Sequence, residues 1–570
     1  MIVKFKPDAP MLRVHALSAH ASAGETVDTV AARASLLGHR MGVSLRSGRA
    51  LTPQTQVLHA TGMSGAALAQ RLAAEPEVEY AVVDQRRRHS AVPNDPLYGA
   101  GPAVNGGAGG PVVGQWYLRA PAGEVVASIN AIQGWELSTG SSSIVVAVLD
   151  TGVRPEHPDL AGRLLTGYDM VSDSTAGNDG SGRDADASDP GDWVTQAESD
   201  SGSAAFADCG ASNSSWHGTR TASLIGAASN DGVGMAGVAW GVKLLPVRVL
   251  GKCGGYDSDV IAGMLWAAGL PVPGLPANPN PARVLNLSLG SSGACSQSYR
   301  EAVSLISNKE NPAVIVASAG NSVGHAVGAP ANCPGVIAVA GLRHIGTKVG
   351  FSDLGPEITI SAPGGNCVNI AAGAPCLYPL LAAGNTGTMG PVSSSYSDSF
   401  RASVGTSFSA PLVAGTVALM LSAQPILTPA MVKSMLQLSA RPFPVSGAAD
   451  DPATGPVQAC HAPDGRDQLQ CYCTQTTCGA GMLDVARALA TVLGTKSHDC
   501  LFNWAEKNYN GHFAPTAASQ FYGPYYYRYY SAIDSYLGVS SEDNRIYYLS
   551  GGVMHDHGLA NSWYTATNCR

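Results

Sequence analysis

Three short segments of the chain place a reactive side chain among glycine and other small residues. They are VVAVLDTGV around Asp150, WHGTRTASLIG around His217 and GTSFSAPLVAG around Ser407. A serine hydroxyl is a weak nucleophile at neutral pH, so an imidazole must take its proton during attack on a carbonyl. A carboxylate then fixes the tautomer of the imidazole and stabilises the imidazolium. Together the three residues predict acyl transfer at a serine.

The elements that would position these residues are visible in the surrounding sequence. Asp150 ends the apolar run IVVAVL, which is typical of a buried strand in a parallel sheet. We therefore expect its carboxylate at the carboxyl end of that strand, where open α/β sheets form their sites. His217 precedes ASLIGAA and Ser407 opens SFSAPLVAGTVALML, so each is predicted near the start of a helix. A serine there has free backbone N–H groups beside a developing oxyanion.

These contexts, in the chain order Asp, His, Ser, resemble the triad of the subtilisin family of serine proteases. Unrelated folds place the same triad in other orders. The resemblance is to thermitase-like secreted members with a propeptide, and it implies an α/β fold of three layers with a mostly parallel central sheet. It also implies that Asn321, where the strand AVIVASAGNS breaks, donates a hydrogen bond to the oxyanion. The sequence departs from the family pattern at GTRTAS and at Phe408-Ser409, which bear on packing and subsite shape.

The resemblance also assigns two walls and a floor to a substrate cleft. The end of the strand VLNLSLGSSG would pair with an extended polypeptide, whose main chain supplies affinity. Small residues in the pocket leave room for a large side chain, and no buried acid is evident there, which predicts broad cleavage with an apolar or aromatic preference. The alternative is that these small residues only permit tight turns. The residues assigned to substrate binding are Ser288, Leu289, Gly290, Ser318, Gly320 and Gly328.

Structural calcium is a further implication of the resemblance, from PNDPLY at 93–98, HPDL and the loop ASNDGVGMAGVA. Calcium takes about six to eight oxygen ligands from carboxylates and carbonyls. Ordinary turn formation is the alternative, because Asn-Asp-Gly is a strong turn signal. An insertion rich in Asp, Ser and Gly between Asp169 and Cys209 fits either another calcium or a solvated loop. The expected ligands are the carboxylates of Asp95, Asp159 and Asp231 and the carbonyls of Ala228, Val233 and Met235.

Composition fits a secreted α/β enzyme with tight turns. The chain has 570 residues, 67 of them glycine, and only 13% are charged. A net charge of −8 without a basic stripe argues against a nucleic-acid partner. No stretch of about 18 apolar residues is evident, so we expect no membrane span.

The twelve cysteines predict disulfides and an oxidising compartment, because none has a convincing zinc spacing. A metal site around Cys471, Cys473 and Cys478 is the less favoured alternative. Secretion is expected from the cysteines although the sequence at Met1 does not resemble a signal peptide. Joining neighbours gives the pairs Cys209–Cys253, Cys295–Cys333, Cys367–Cys376, Cys460–Cys471, Cys473–Cys478 and Cys500–Cys569.

Three regions are predicted along the chain. Residues 1–90 have the pattern of a small α+β domain, and their end, PEVEYAVVDQRRR, resembles that of a subtilisin propeptide, which assists folding and then inhibits. Residues 93–495 are the expected catalytic domain. Residues 496–570 are rich in tyrosine and predict a small β-rich module, for which binding of sugars or proteins and ordinary strand packing both remain open.

The sequence therefore predicts a secreted serine endopeptidase that cuts itself from a zymogen. The expected partners are polypeptide substrates and the chain's own propeptide, and the expected oligomeric state is a monomer. A second interpretation is a weakly active or inactive binding protein on a protease fold. An esterase is less favoured, because its nucleophile is expected in GxSxG and GTSFSAP does not match.

Overall fold

The computed structural model describes most of the chain. The ranges are 1–63, 65–84, 92–99, 114–203, 206, 209–365, 378–397, 404–448, 456–508, 519–522, 525–530, 534–540 and 545–559. The chain divides into two compact units, Met1–His89 and Ser90–Arg570.

The first unit is a small α+β domain with an antiparallel sheet of four strands in the order β2-β3-β1-β4. Its core contains Val3, Phe5, Leu37 and Leu58. The expected strands and the helix at 65–73 are present. A long helix at 23–41 and a strand at 45–52 were not predicted. The strands are β1 (Ile2–Phe5), β2 (Leu45–Thr52), β3 (Thr55–Ala60) and β4 (Val78–Val82), and the helices are α1 (Pro10–Val14), α2 (Ala23–Met41) and α3 (Gly65–Ala73).

A parallel sheet of seven strands forms the centre of the second unit, in the order β11-β10-β9-β8-β5-β7-β6. Every pairing in it is parallel, as the apolar runs predicted. Its strands are β5 (Val145–Asp150), β6 (Tyr168–Asp169), β7 (Lys243–Arg248), β8 (Val284–Leu287), β9 (Val314–Ser318), β10 (Ile337–Leu342) and β11 (Ile358–Pro363).

Helices cover both faces of this sheet. Along β5, Val146 and Val148 belong to one hydrophobic core, whereas Ala147 and Leu149 belong to the other. This is the three-layer α/β arrangement, and it explains why the strand is apolar at every position. The helices are α4 (Pro96–Gly99), α5 (Ala131–Gly134), α6 (Ser174–Gly177), α7 (Gln196–Ser199), α8 (His217–Gly226), α9 (Asp257–Ala267), α10 (Gln297–Asn308), α11 (Thr406–Ala423), α12 (Pro429–Ser439) and α13 (Val485–Asn508), with 3₁₀ turns at Trp116–Leu118 and Pro158–Leu160.

One described helix, α11, is long and apolar enough to cross a membrane, with a mean hydropathy of 1.4. The expectation that no such apolar stretch exists is therefore wrong. However, 83% of this helix is buried inside the protein, where it packs against α8 and α13. A helix that is apolar all round suits the centre of a large domain.

The C-terminal strands form a separate antiparallel sheet that packs against α13. Two buried side chains of this sheet contact Asp499 of α13. The Tyr526 hydroxyl donates to Oδ2 of Asp499 at 2.9 Å, and Nη2 of Arg528 lies 3.1 Å from Oδ1. Helix α13 runs without a break across the expected boundary between 495 and 496. The strands are β14 (Gln520–Tyr522), β15 (Tyr525–Tyr530), β16 (Ser535–Ser540), β17 (Arg545–Ser550) and β18 (Val553–Leu559), and a separate two-stranded ladder pairs β12 (Ala382–Asn385) with β13 (Ser394–Ser397).

Disulfides link loops of the second unit. Four of the expected pairs are present, and the other two, Cys367–Cys376 and Cys500–Cys569, involve cysteines whose side chains lie outside the described residues. The observed bridges are Cys209–Cys253, Cys295–Cys333, Cys460–Cys471 and Cys473–Cys478.

Candidate active site

Asp150 is the last residue of β5 and is fully buried. The backbone N–H of Thr151 donates to its Oδ1 at 2.8 Å, and the hydroxyl of Thr221 donates to its Oδ2 at 3.1 Å. A buried anion of this kind can orient and stabilise a neighbouring cation.

His217 supplies that neighbour. It opens α8, and its Nδ1 lies 2.7 Å from Oδ1 of Asp150. Because a carboxylate only accepts hydrogen bonds, Nδ1 carries the proton and Nε2 is left as a base. Burial alone would lower the pKa of His217, but the charge of Asp150 and its hydrogen bond raise it above its ordinary value.

Ser407 is the second residue of α11, whose N-terminus faces the same cavity as His217. Its hydroxyl donates to the carbonyl of Ser288 at 3.1 Å. No hydrogen bond joins Ser407 to His217 within the described residues, so the hydroxyl must rotate to reach Nε2. The ring of Phe408, the next residue, packs edge-on against the imidazole with centroids 5.8 Å apart. A missing hydrogen bond between nucleophile and base is common in unliganded active sites.

Asn321 follows the carboxyl end of β9 and is oriented by Thr406. The backbone N–H of Thr406 donates to Oδ1 of Asn321 at 3.0 Å, and the Thr406 hydroxyl donates to the same oxygen at 2.9 Å. A backbone N–H can only donate, which identifies the oxygen, and Nδ2 donates to no acceptor among the described residues. A Cβ at Gly405 would lie 3.7 Å from that nitrogen, so the amide is close to the start of α11.

A cavity of about 690 Å³ brings these side chains together with the expected substrate-binding residues. Strands β5, β8 and β9 are parallel neighbours, so the segments that follow them meet at one edge of the sheet. Asp150 lies behind the cavity rather than in its wall. The expected residues that line it are His217, Ser407, Asn321, Ser288, Leu289, Gly290, Ser318, Gly320 and Gly328.

Comparison with known proteins gives the family. The sequence pattern of the "Subtilase family" matches residues 141–472, which include all of these cavity residues. The chain belongs to the subtilase family.

Several extracellular bacterial enzymes are similar to this subtilase. An "Extracellular protease" of Xanthomonas campestris is 40% identical over 66% of this chain and 58% of its own length. An "Extracellular basic protease" of Dichelobacter nodosus is 37% identical over 62% of the chain and 52% of its own length. The chain thus spans little more than half the length of these two relatives. Thermitase of Thermoactinomyces vulgaris is 31% identical over 41% of the chain and 68% of its own length.

A solved structure of proteases from Pseudoalteromonas arctica PAMC 21717 is also similar. It is 41% identical, has a TM-score of 0.55, and covers 66% of this chain and 97% of its own. The similarity supports the α/β fold described above.

Two glycines of the cleft are required by backbone contacts. A Cβ at Gly328 would lie 2.0 Å from the carbonyl of Ser291, and one at Gly320 would lie 2.3 Å from Oδ2 of Asp353. The second also has φ +113°, which strongly favours glycine. Close contacts with neighbouring atoms therefore explain glycine at these two positions, whatever the size of the pocket. The sequence had left this explanation open as the alternative.

Three acids that the sequence analysis did not assign also line the cavity. Asp192 lies beside His217, and Asp257 accepts a hydrogen bond from the hydroxyl of buried Tyr299 at 2.9 Å. Asp353 is buried, which raises its pKa, and it accepts hydrogen bonds from the backbone of Ser322 and His325. The expectation that no buried acid lies at the cleft is therefore wrong. No sequence pattern marks these positions, because each depends on contacts between distant loops.

Four of the six expected calcium ligands belong to the loop 228–235, and the other two, Asp95 and Asp159, lie against it. Asp95 accepts hydrogen bonds from the backbone N–H groups of Asn230 and Asp231, at 2.8 and 3.4 Å. Asp159 accepts one from the backbone of Met235 at 2.8 Å. A Cβ at Gly234 would lie 2.3 Å from both oxygens of Asp159, so the loop approaches closely at that point.

The chemistry of this loop fits a cation. Burial, with the neighbouring charges of Asp231 and Asp95, raises the pKa of Asp159 to about 7. Within the described residues, none of these three carboxylates has an ion-pair partner, and no N–H or hydroxyl donates to the carbonyls of Ala228, Val233 or Met235. The three carboxylates do not each bring an oxygen within 4.8 Å of the others. A single ion would therefore contact at most two of these carboxylates directly.

Several acids of the insertion between Asp169 and Cys209 have partners within the protein. Arg248 forms a buried ion pair with Asp169 and binds Asp179 at 2.8 Å. Asp173 caps α6 through the backbone of Thr175. These acids therefore fold the insertion against the end of β7.

Proposed function

We propose that this subtilase is a secreted serine endopeptidase with Asp150, His217 and Ser407 as its catalytic triad. The observation that carries the proposal is the 2.7 Å contact between Asp150 and Nδ1 of His217, in a cavity that also holds Ser407 and the free amide of Asn321. The disulfides suit an oxidising compartment, and the relatives named above are extracellular.

The mechanism follows from the hydrogen-bond directions. Nε2 of His217 takes the proton of Ser407 as Oγ forms a bond to the substrate carbonyl carbon. The oxyanion accepts hydrogen bonds from Nδ2 of Asn321 and from the backbone N–H of Ser407, which lies in the first turn of α11, where N–H groups have no partner within the helix. The imidazolium then protonates the leaving amine as the peptide C–N bond breaks. A water molecule then attacks the acyl group on Ser407, with His217 again taking the proton. The carboxylic acid product leaves as Ser407 regains its proton.

An extended polypeptide is the substrate that suits this cleft. The segment Ser288–Gly290 continues β8 beside the nucleophile, and an added strand gains main-chain hydrogen bonds there. Ser318, Gly320 and Gly328 supply the pocket next to the scissile bond. We propose an apolar or aromatic preference there, because the buried Asp353 already accepts hydrogen bonds from the backbone of Ser322 and His325. Sequencing of the products from a mixed peptide pool tests it. Preferential cleavage after Lys or Arg would contradict it and would implicate the acids of the cleft.

We propose that residues 1–90 act as a propeptide that is removed by the enzyme itself. The unit has its own core and ends in β4, and we place the processing junction shortly after it, between Gln85 and Pro93. Much of that junction lies outside the described residues. Expression of Ser407→Ala in a purified system should yield only the uncut precursor. Normal processing of that variant would exclude self-cleavage.

Subtilases generally bind structural calcium. In this chain we propose that it binds at the loop 228–235, with ligands drawn from the carboxylates of Asp95, Asp159 and Asp231 and the carbonyls of Ala228, Val233 and Met235. Asp95 and Asp159 are buried and, among the described residues, have no ion-pair partner, which supports this site. A bound cation would supply the positive charge that the acids lack, and it would tie the loop to the rest of the domain.

The test of the proposed function is hydrolysis of casein by the purified chain. Wild-type protein should degrade it, and Ser407→Ala should not. An absence of hydrolysis by well-folded, processed wild-type protein would favour the alternative of a binding protein on a protease fold. Sedimentation of the same sample tests the expected monomer.

A further inference from the structure

A carboxylate outside the Asp150–His217 pair holds the segment that carries the imidazole. Asp192 lies in the acidic insertion and lines the cavity together with His217 and Ser407. Its Oδ1 accepts a hydrogen bond from the backbone N–H of Ser215 at 2.6 Å, and its Oδ2 accepts one from the Ser215 hydroxyl at 2.7 Å. Both oxygens are thus bound to a residue two positions before His217.

The backbone between Ser215 and His217 needs such support. Trp216 has φ +53°, a left-handed conformation that a large side chain adopts only where its surroundings impose it. The hydroxyl of Ser215 accepts a hydrogen bond from the backbone N–H of His217 at 3.3 Å. On the other side, the indole of Trp216 donates to the carbonyl of Gly387 at 2.7 Å. Asp192 and Gly387 therefore hold the turn that directs His217 into the cleft.

The insertion also contacts the residues next to Asp150. Oδ2 of the fully buried Asp189 accepts a hydrogen bond from the hydroxyl of Thr151 at 2.7 Å. The same hydroxyl oxygen accepts one from the backbone N–H of Gly218 at 3.0 Å. Two acids of the insertion thus bind the residues that flank the carboxylate and the imidazole, so the insertion is part of the active-site support.

Three charged groups act on His217. Asp150 faces it from β5, Asp192 faces it from the insertion, and Arg220 lies on its own helix. The ring of Phe408 on α11 adds a contact without charge. Burial lowers the pKa of His217, Asp150 and Asp192 raise it, and Arg220 lowers it. Asp192 therefore acts on the imidazole in the same direction as Asp150.

We propose that Asp192 is a positioning residue of this active site, which holds the Ser215–Trp216 turn and stabilises the imidazolium that forms when Ser407 attacks. The proposal rests on the proposed protease function. Asp192 exchanges no proton in it. The proton of Ser407 moves to Nε2 of His217 and then to the leaving amine, and Asp192 keeps its charge throughout.

The test is the pH dependence of kcat/KM on a peptide substrate for Asp192→Asn. This variant keeps the shape of the side chain but loses its charge and one acceptor. We expect kcat to fall about tenfold, because a small displacement of a catalytic group is costly. We also expect the acid limb of the profile to move to lower pH, because the imidazolium loses a stabilising charge.

Two variants separate the turn from the charge. Ser215→Ala removes the hydroxyl contact but keeps Asp192 charged, so kcat should fall while the acid limb stays in place. Asp200→Asn removes the same charge from an exposed position of the insertion and should match the wild type in both respects. An unmoved acid limb for Asp192→Asn, with or without lower activity, would overturn the proposal.

Thermal unfolding and titration with a serine-directed fluorophosphonate count the folded active sites in each sample. If Asp192→Asn does not fold, Asp192→Glu replaces it. That variant keeps the charge, so we expect lower kcat with the wild-type acid limb, and a shifted limb would contradict the proposal. Failure of the wild type to hydrolyse any peptide would instead refute the protease function.

Discussion

The backbone N–H of Thr406 donates a hydrogen bond to Oδ1 of Asn321 over 3.0 Å. This contact turns Nδ2 of the amide away from Thr406 and leaves it available beside Ser407. Thr406, which precedes the proposed nucleophile, thereby orients the proposed donor for the oxyanion. One short segment at the start of α11 thus aligns both groups.

We predict that Asn321→Ala lowers kcat by about 10²–10³, the usual cost of losing one oxyanion donor. KM for a peptide substrate should change little, because this hydrogen bond forms mainly in the transition state. Thr406→Ser keeps the backbone contact and the hydroxyl and is the matched control, with activity near the wild type. Full activity of folded Asn321→Ala would remove it from the mechanism.

We predict that activity falls as the pH is lowered and His217 becomes protonated. Only the neutral imidazole accepts the proton of Ser407, and a raised pKa moves this loss to higher pH than for an ordinary histidine. Asp150→Asn removes the charge and the preferred tautomer, which should cost about 10⁴ in kcat. The measurement is kcat/KM against pH. An unchanged profile for Asp150→Asn would contradict the triad.

Removal of the Cys295–Cys333 disulfide should destabilise the protein by about 4 kcal/mol, because it closes a long loop of the unfolded chain. That loop carries β9, Asn321 and Gly328. The Cys473–Cys478 bridge closes a much shorter loop and should contribute only about 2 kcal/mol. Denaturant unfolding of the two double-alanine variants compares them. A larger effect for the short bridge would show that native-state contacts dominate.

Lys348→Met should destabilise the second unit by about 1–3 kcal/mol or more, since it leaves buried backbone carbonyls without a donor. The Lys348 side chain is fully buried, and its Nζ lies 2.6–3.0 Å from four backbone carbonyls that share its three N–H groups, two of them in the segment 468–469. Lys243→Met, which loses one exposed hydrogen bond, is the control. Equal denaturation midpoints for the two variants would contradict this account.

A chelator should lower the thermal midpoint of the wild type if calcium binds at the loop 228–235. Added calcium should restore the midpoint, because binding to the folded state alone stabilises it. Asp159→Asn should start from a lower midpoint and respond less to the chelator. An identical response of the wild type and Asp159→Asn would exclude this loop as the site.

The parts of the fold that the sequence predicted have strong local signals. Asp150 ends a strand whose other residues are all apolar because both of its faces are buried, and α11 is apolar for the same reason. Helix α2 carried a signal that the sequence analysis missed, the capping box between Ser22 and Glu25. Its apolar face alone did not distinguish it from a loop.

The parts that could not be predicted depend on contacts between distant residues. Asp192 and Ser215 are 23 positions apart in a region without periodic pattern, so nothing in the sequence joins them. Asp353 lies under Gly320 only because two loops meet there. The sequence of the acidic insertion indicated a solvated loop or a calcium site. It could not show that Asp169 and Asp179 pair with Arg248, because that arginine lies far along the chain at the end of β7.

The most direct test of the central claim is labelling of the processed protein by a serine-directed fluorophosphonate, followed by peptide mapping. The account predicts one label per molecule, on Ser407, with parallel loss of casein hydrolysis. His217→Ala should abolish labelling while the fold persists. A label on another serine, or hydrolysis that survives complete modification of Ser407, would contradict the proposed triad.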